Sequence, residues 1–241
     1  MAKTQVALVT GANKGIGLEI ARQLGQRGFT LLLGARDEAR GQEAAQQLRT
    51  EGLDARPLRL DVTNQTTIEA AARRIESEFG QLDILVNNAA VLLDKVSPSQ
   101  LDLETLRQTF ETNFFGVFVV TKAMLPLLRK SDAGRIVNLS SGLASLAQNS
   151  DPHWEFAQFK LLAYNSSKTA VNALTVQLAA DLRDTPIKVN AADPGYTATD
   201  MNAHQGHRTV AQGATAAVRL ATLPADGPTG GFFDEDGPVP W

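Results

Sequence analysis

Short apolar runs alternate with segments of helical periodicity along this chain, and no other feature restricts its fold as strongly. Residues 5–10, 30–35, 56–60, 82–86, 134–141 and 187–192 read as strands, and residues 229–233 offer a seventh. Residues 18–27, 38–50, 66–79, 161–182 and 209–222 read as helices; 66–79, for example, turns Ile68, Ala71, Ala72, Ile75 and Phe79 to one side. Residues 103–129 form one long helix or a helix pair. Strict alternation of this kind predicts a parallel sheet with right-handed crossovers and helices on both faces. Ligands of such sheets bind beyond the carboxyl ends of the strands, so function is to be sought in the residues that follow each strand.

After the first strand comes Thr10-Gly11-Ala12-Asn13-Lys14-Gly15-Ile16-Gly17, with glycines in the turn that opens the first helix. A missing Cβ lets the backbone approach a phosphate, and the free N–H groups of a helix start favour the anion. The spacing is G-x-x-x-G-x-G rather than the commoner G-x-G-x-x-G, and its position still points to a dinucleotide. The second strand ends in Ala35-Arg36, where a carboxylate would have selected a free ribose 2′-OH. Arg36, Arg40 and Lys14 can converge on a 2′-phosphate, which favours NADP(H) over NAD. Asp37 opposes that charge argument, unless it serves as the N-cap of helix 38–50. After the third strand, Asp61 and Val62 either meet the adenine or form a capped turn. Asn87-Asn88-Ala89-Ala90 follows the fourth strand, where amides can satisfy crossing backbones and lie flat against a nucleoside.

Tyr164 and Lys168 stand four residues apart at the head of helix 161–182 and therefore share a face. A fixed ammonium beside a phenol is expected to lower the phenol's pKa and make it a useful proton donor to an alkoxide. Two hydroxyls, Ser140 and Ser141, end the fifth strand, and spacing does not separate them. Asn113 lies in the middle of 103–129 among Phe110, Phe114, Val117 and Phe118, where an amide needs a partner such as a water or a backbone carbonyl. Trp154, Phe156 and Phe159, upstream of Tyr164, line an apolar pocket or pack their segment onto the core. His204 and His207 lack an obvious third ligand, so no metal is expected.

The 241 residues, 43% of them apolar, suffice for one well-buried domain. A net charge of −3 gives no field suited to nucleic acid or a membrane surface. The absence of cysteine excludes disulfides, thiol nucleophiles and thiolate metal sites, and is compatible with the cytoplasm. The N-terminal apolar run, residues 6–9, is too short for a signal segment or a membrane span.

Taken together, the glycine motif, Asn87-Asn88-Ala89-Ala90 (with Ala90 where glycine is usual), Asn113, Ser141, Tyr164, Lys168 and Pro194-Gly195 resemble the short-chain dehydrogenase/reductase family over essentially the whole chain. Asn13-Lys14, Ala35-Arg36-Asp37, Arg40-Gly41-Gln42, Tyr196, Thr199-Asp200-Met201 and Trp241 are similar to its NADPH-dependent carbonyl reductase subgroup. The resemblance implies a Rossmann-type α/β fold, a doubly wound parallel sheet of about seven strands in one domain over 1–241. It implies a catalytic tetrad of Asn113, Ser141, Tyr164 and Lys168, chooses Ser141 over Ser140, and gives Asn113 a water that links Lys168 to solvent. Lys14, Arg36 and Arg40 would hold the 2′-phosphate, and Asp61, Val62 and Asn88 the adenosine. Gly11, Asn13, Gly15, Ile16, Gly17, Tyr164, Lys168, Pro194, Thr197 and Thr199 complete the implied cofactor contacts. The expected activity is reduction of a small-molecule aldehyde, ketone or quinone-like carbonyl. A 3-oxoacyl or hydroxysteroid reductase, or a non-catalytic NADP-binding sensor, is the alternative. Ser141 and Tyr164 are farther apart than in ordinary members and nearer than in animal carbonyl reductases, so 142–160 reads as an insertion beside the site, and a monomer or homodimer is implied.

Overall fold

The computed structural model describes residues 5–241; residues 1–4 lie outside the described residues. Seven parallel strands form one sheet: β1 (Val6–Thr10), β2 (Thr30–Ala35), β3 (Ala55–Arg59), β4 (Ile84–Asn87), β5 (Arg135–Leu139), β6 (Lys188–Ala192) and β7 (Phe232–Phe233). Their spatial order is β3-β2-β1-β4-β5-β6-β7, so the order reverses between β1 and β4. That reversal opens a crevice at the carboxyl ends of the strands.

The alternation along β1 shows how both faces are covered. Ala7 and Val9 pack against Ile20, Ala21 and Leu24 of α1 (Gly15–Gly25), Ala45 and Leu48 of α2 (Glu38–Thr50), and the small residues of α8 (Val210–Ala221). Val6 and Leu8 point the other way, to Ile68 and Ile75 of α3 (Gln65–Phe79), Val120 and Met124 of α5 (Gly116–Leu128), and Ala179 of α7 (Leu162–Asp181). Period-2 alternation thus serves two cores in one chain. At the front end of the sheet the buried Asp83 carboxylate accepts from Val6 N–H at 2.8 Å and from Ser131 Oγ at 2.6 Å. Strand β4 spans Ile84–Asn87, two residues later at its start than the 82–86 expected from the sequence.

The 103–129 segment is one continuous helical run with a π-helical turn in its middle. Helix α4 (Leu103–Phe110) runs into a π-helical turn, Glu111–Phe115, and continues as α5. The run Leu103–Leu128 is apolar and long enough by composition to cross a membrane. Here Val120, Met124, Leu127 and Leu128 are buried against the sheet. The 142–160 segment is more ordered than its composition suggests, with a 3-10 turn at Gly142–Ala144 and the short helix α6 (Leu146–Ser150).

Buried amides cross the middle of the sheet. Asn87 Nδ2 donates to Asn138 Oδ1 at 2.8 Å and to Thr121 Oγ1 at 2.9 Å, and Asn138 Nδ2 donates to Thr175 Oγ1 at 2.9 Å. This ladder joins β4 and β5 to α5 and α7, and each member satisfies another that would otherwise be orphaned. Asn138→Ala should lower the unfolding free energy in urea by about 2–4 kcal/mol, because it orphans one neighbour and opens a void. A loss below about 0.5 kcal/mol would mean that the ladder only fills space.

Candidate active site

The glycine turn is built by contacts that exclude side chains. Gly11 and Gly15 have φ of +63° and +57°, in the left-handed region. A Cβ on Gly17 would collide with Asn88 Nδ2 and stand 2.7 Å from Gly11 O. Asn88 lies there because its amide donates to Thr10 O at 2.8 Å and Gly11 O at 3.2 Å, while Thr10 Oγ1 accepts from the N–H groups of Asn88 and Ala89. The amide of the fourth strand's end thus ties down the glycine turn. Helix α1 begins inside that turn, at Gly15, so Gly15, Ile16 and Gly17 form its first turn. Its N-cap, Lys14, makes no side-chain cap, and the first turn carries no acid. Open N–H groups, a positive dipole end and no Cβ form a cradle for a phosphate.

Asn13, Lys14 and Arg40 line one open cleft together with Asp200. Lys14 Nζ pairs with the Asp200 carboxylate at 2.5 Å, and His204 Nε2 bonds its other oxygen at 2.9 Å. These contacts, Lys14's first, hold the Asp200 carboxyl below its usual range. Arg36 is exposed at the end of β2. Asp37 is the N-cap of α2, accepting from Arg40 N–H at 3.1 Å, which gives that carboxylate a structural task. Asp61 turns one oxygen to Thr63 N–H at 3.0 Å and Thr63 Oγ1 at 2.8 Å, the capped-turn arrangement. Val62 packs on α5, where a Cβ at Gly116 would meet Val62 Cγ2 at 2.9 Å.

Tyr164 and Lys168 lie on the first turns of α7, with Lys168 Nζ 5.8 Å from the centre of the tyrosine ring. Lys168 is buried and donates to Leu139 O at 2.7 Å; burial lowers its pKa to about 8. Tyr164 is pushed up to about 12, first by burial and then by the Asp193 carboxylate, while the Ser141 hydroxyl beside it pulls the other way. The expected lowering of the phenol by Lys168 is therefore absent in this structure. Desolvation and the Asp193 carboxylate set the shift, and Lys168, itself pushed toward the neutral form by burial, does not offset them. Ser140 and Ser141 separate cleanly. Ser140 Oγ is buried and bonded to Asn172 Oδ1 at 2.6 Å, whereas Ser141 starts the 3-10 turn on the Tyr164 side.

Asn113, fully buried in the π turn, accepts from Val91 N–H at 2.8 Å and donates to Val91 O at 2.9 Å and Ser167 Oγ at 3.0 Å. Both amide protons are taken by protein groups, so a water beside this side chain would donate to its oxygen rather than accept from its nitrogen.

The loop after β6 closes the far side of the cleft. Thr197 Oγ1 donates to Pro194 O at 2.9 Å, and Thr199 Cγ2 stands 3.8 Å from where a Gly15 Cβ would be. Phe156 and Phe159 pack on Tyr196, with ring centres 5.8 and 6.0 Å apart, and Tyr196 also meets His207. Trp154 packs edge-on to Phe156 and lies 3.5 Å from the Cβ position of Gly142, next to Ser141. The rings thus anchor their own segment to the loop after β6. Among the described residues no group of three His, Asp or Glu is placed to hold a metal.

Two acids escaped the sequence reading. Asp193, immediately before Pro194, reaches Gly195 N–H at 2.9 Å and the Gly142 turn; burial raises its pKa. Asp94 lies far from α7 in the chain yet bonds its first N–H groups. A lone acid after Val91-Leu92-Leu93 was the available signal for it.

A family model described as short chain dehydrogenase matches residues 5–209. Short-chain dehydrogenase/reductase 1 of Saponaria officinalis is 35% identical, over 100% of this chain and 97% of its own length. Carbonyl reductase [NADPH] 1 of Rattus norvegicus is also 35% identical, over 98% of both chains. The solved structure of NADPH-bound carbonyl reductase from chicken fatty liver aligns with a TM-score of 0.85 and 26% identity, covering 99% of this chain and 100% of that one.

The lysine's shift has a sign that unfolding experiments can read. Between about 8 and its ordinary 10.5, the unfolded chain binds a proton that folded Lys168 has released. Stability contributed at this residue therefore rises with pH across that window. Above a pH of about 10, Tyr164 acts in the opposite sense, because its folded pKa is the higher one. Urea unfolding of wild type and Lys168→Met at about pH 7.5 and about pH 10 checks this, with wild type expected to gain on the variant at the higher pH. A constant or shrinking difference contradicts the buried-lysine assignment.

Proposed function

The chain belongs to the short-chain dehydrogenase family, and on that premise we propose that it is an NADPH-dependent oxidoreductase that reduces the carbonyl of an aldehyde, ketone or quinone-like small molecule. The observation that carries this reading is the grouping of Ser141, Tyr164 and Lys168 at the carboxyl end of the sheet, beside the uncapped, glycine-lined start of α1. The residues present fit the cofactor. A Cβ on Gly15 would stand in the open space before α1, with only Thr199 Cγ2 within 4 Å, and the open N–H groups of α1 suit a pyrophosphate. Lys14, Arg36 and Arg40 supply positive charge for a 2′-phosphate. Asn13 lines the same cleft as Lys14 and Arg40, Thr199 lies 3.8 Å from the Gly15 Cβ position, and Thr63 engages only one Asp61 oxygen, leaving the other for the adenine.

When bound, NADPH supplies the hydride that becomes the new C–H bond. Ser141 Oγ–H donates to the carbonyl oxygen and stabilises charge developing there. The Tyr164 O–H bond breaks and its proton passes to that oxygen, giving the alcohol. A phenol pushed up to about 12 is protonated at neutral pH and so carries the proton to be donated, as a weaker acid than a free phenol. Lys168, near 8, is a proton source within one turn of the phenol and can replace what Tyr164 gives up. Asn113 acts through Val91 and Ser167 as a clamp. The aromatic wall of Trp154, Phe156, Phe159 and Tyr196 favours flat, apolar carbonyl compounds. With a net charge of −3 and no cysteine, we assign the protein to the cytoplasm, as a monomer or homodimer without nucleic-acid or membrane partners.

Tyr164→Phe should reduce kcat for a good substrate by about 10²- to 10⁴-fold, the usual worth of a general acid. Survival within about tenfold removes Tyr164 from that role. Replacing Lys14, Arg36 and Arg40 together by alanine should weaken NADPH binding by about 10²-fold in fluorescence titration and leave NADH within about threefold. Equal losses for both cofactors would count against the 2′-phosphate site.

A further inference from the structure

Helices in this chain carry their own caps with few exceptions. Asp37, Asn64, Asp102, Ser145 and Thr209 each accept from an N–H of the helix that they start. The start of α1 is open toward the cleft. Helix α5 continues from the π turn and needs no cap, whereas α7 starts afresh with Leu161 at its N-cap, which offers no acceptor. Its orphan donors are served from elsewhere. Asp94 Oδ1 accepts from Ala163 N–H at 2.8 Å, and Asp94 Oδ2 from Tyr164 N–H at 3.1 Å, across 69 and 70 residues of sequence. Asp94 is only 7% exposed.

The same loop grips Tyr164 from its other side. Both backbone groups of Val91 are held by Asn113, whose second amide proton goes to Ser167 Oγ. Ser167 Oγ in turn donates to Tyr164 O at 2.7 Å. The N–H of Tyr164 thus refers to Asp94 and its C=O to Val91, three residues earlier in one loop. That loop continues from Asn88, whose amide holds the carbonyls of Thr10 and Gly11 in the glycine turn. A serine or aspartate at position 161 would satisfy the helix end as well and leave no carboxylate to bury. What the distant cap adds is registry between Tyr164 and the loop that follows β4.

We propose that Asp94 is a positioning residue for the reaction. By capping α7 from the β4–α4 loop, it fixes the Tyr164 backbone relative to the glycine turn, so that the phenol meets Ser141 and the carbonyl in one frame. The inference rests on the carbonyl-reductase reading for its kinetic readout, and on backbone protection for a readout independent of turnover. A misplacement of about 1 Å at such a centre costs about 10²-fold in rate.

Four proteins test it: wild type, Asp94→Ala, Asp94→Asn, and Asp94→Ala combined with Leu161→Asp, which restores a local cap without the tie to the loop. Asp94→Ala should lower kcat by about 30-fold or more and leave NADPH affinity within about threefold. Hydrogen exchange at Ala163 and Tyr164 should accelerate while the sheet stays protected. Asp94→Asn keeps one acceptor and should fall between, and it serves as the probe if the alanine variant folds poorly. The double variant should regain its Tm and amide protection but not its kcat. The proposal is overturned if Asp94→Ala retains kcat within about threefold, if NADPH affinity falls as far as kcat, or if the local cap restores turnover. If wild type turns over no aldehyde, ketone or quinone, the functional reading fails. Amide exchange at Ala163 and Tyr164 then decides the positioning claim alone, and unchanged exchange in Asp94→Ala overturns it.

Discussion

A sheet buried on both faces leaves polar chemistry nowhere to go but its ends, and the rest of this structure follows from that constraint. All five residues of β1 and all six of β2 are buried. Every group with hydrogen-bonding work to do is therefore pushed to the strand termini, into the helices that cross above them, or into the closed amide ladder of Asn87, Asn138 and Thr175. At the switch between β1 and β4, the carboxyl ends part, and side chains from four different strand ends come within reach of one another.

Inside that crevice the electrostatics are set by burial more than by pairing. Tyr164 and Lys168 move in opposite directions, the phenol up to about 12 and the ammonium down to about 8, and both shifts favour the uncharged forms. The pair stands ready as a neutral phenol beside an amine that can change charge near neutral pH. Asp193 adds to this by facing Tyr164 with a carboxyl whose own pKa is raised by burial.

Strand positions, the glycine turn and the i, i+4 relation of Tyr164 to Lys168 were legible in the sequence because each depends on neighbours in the chain. Asp37 as a helix cap was legible for the same reason. Other features depend on distance in sequence and were not. Resemblance picked Ser141 over Ser140, but the physical difference, the Asn172 oxygen that takes up the first hydroxyl, lies 32 residues along the chain. The task of Asn113 needed Val91 and Ser167, and the π turn that aims the amide has no periodicity of its own. The direction of the Tyr164 shift was misjudged because local spacing reveals the ammonium and hides both desolvation and Asp193. Asp94 left only a weak signal, because an isolated acid after an apolar run carries no motif.

The ion pair between Lys14 and Asp200 joins the glycine turn to the loop after β6, so the two lips of the cleft are already in contact. Both side chains are more than half exposed, and such a pair is worth no more than about 1 kcal/mol. With Lys14 read as a phosphate contact, an arriving phosphate would exchange for a carboxylate rather than fill a bare positive site. Asp200 would then keep His204 as its partner. On that reading, ligand entry and release of the tie between the two lips would be one event.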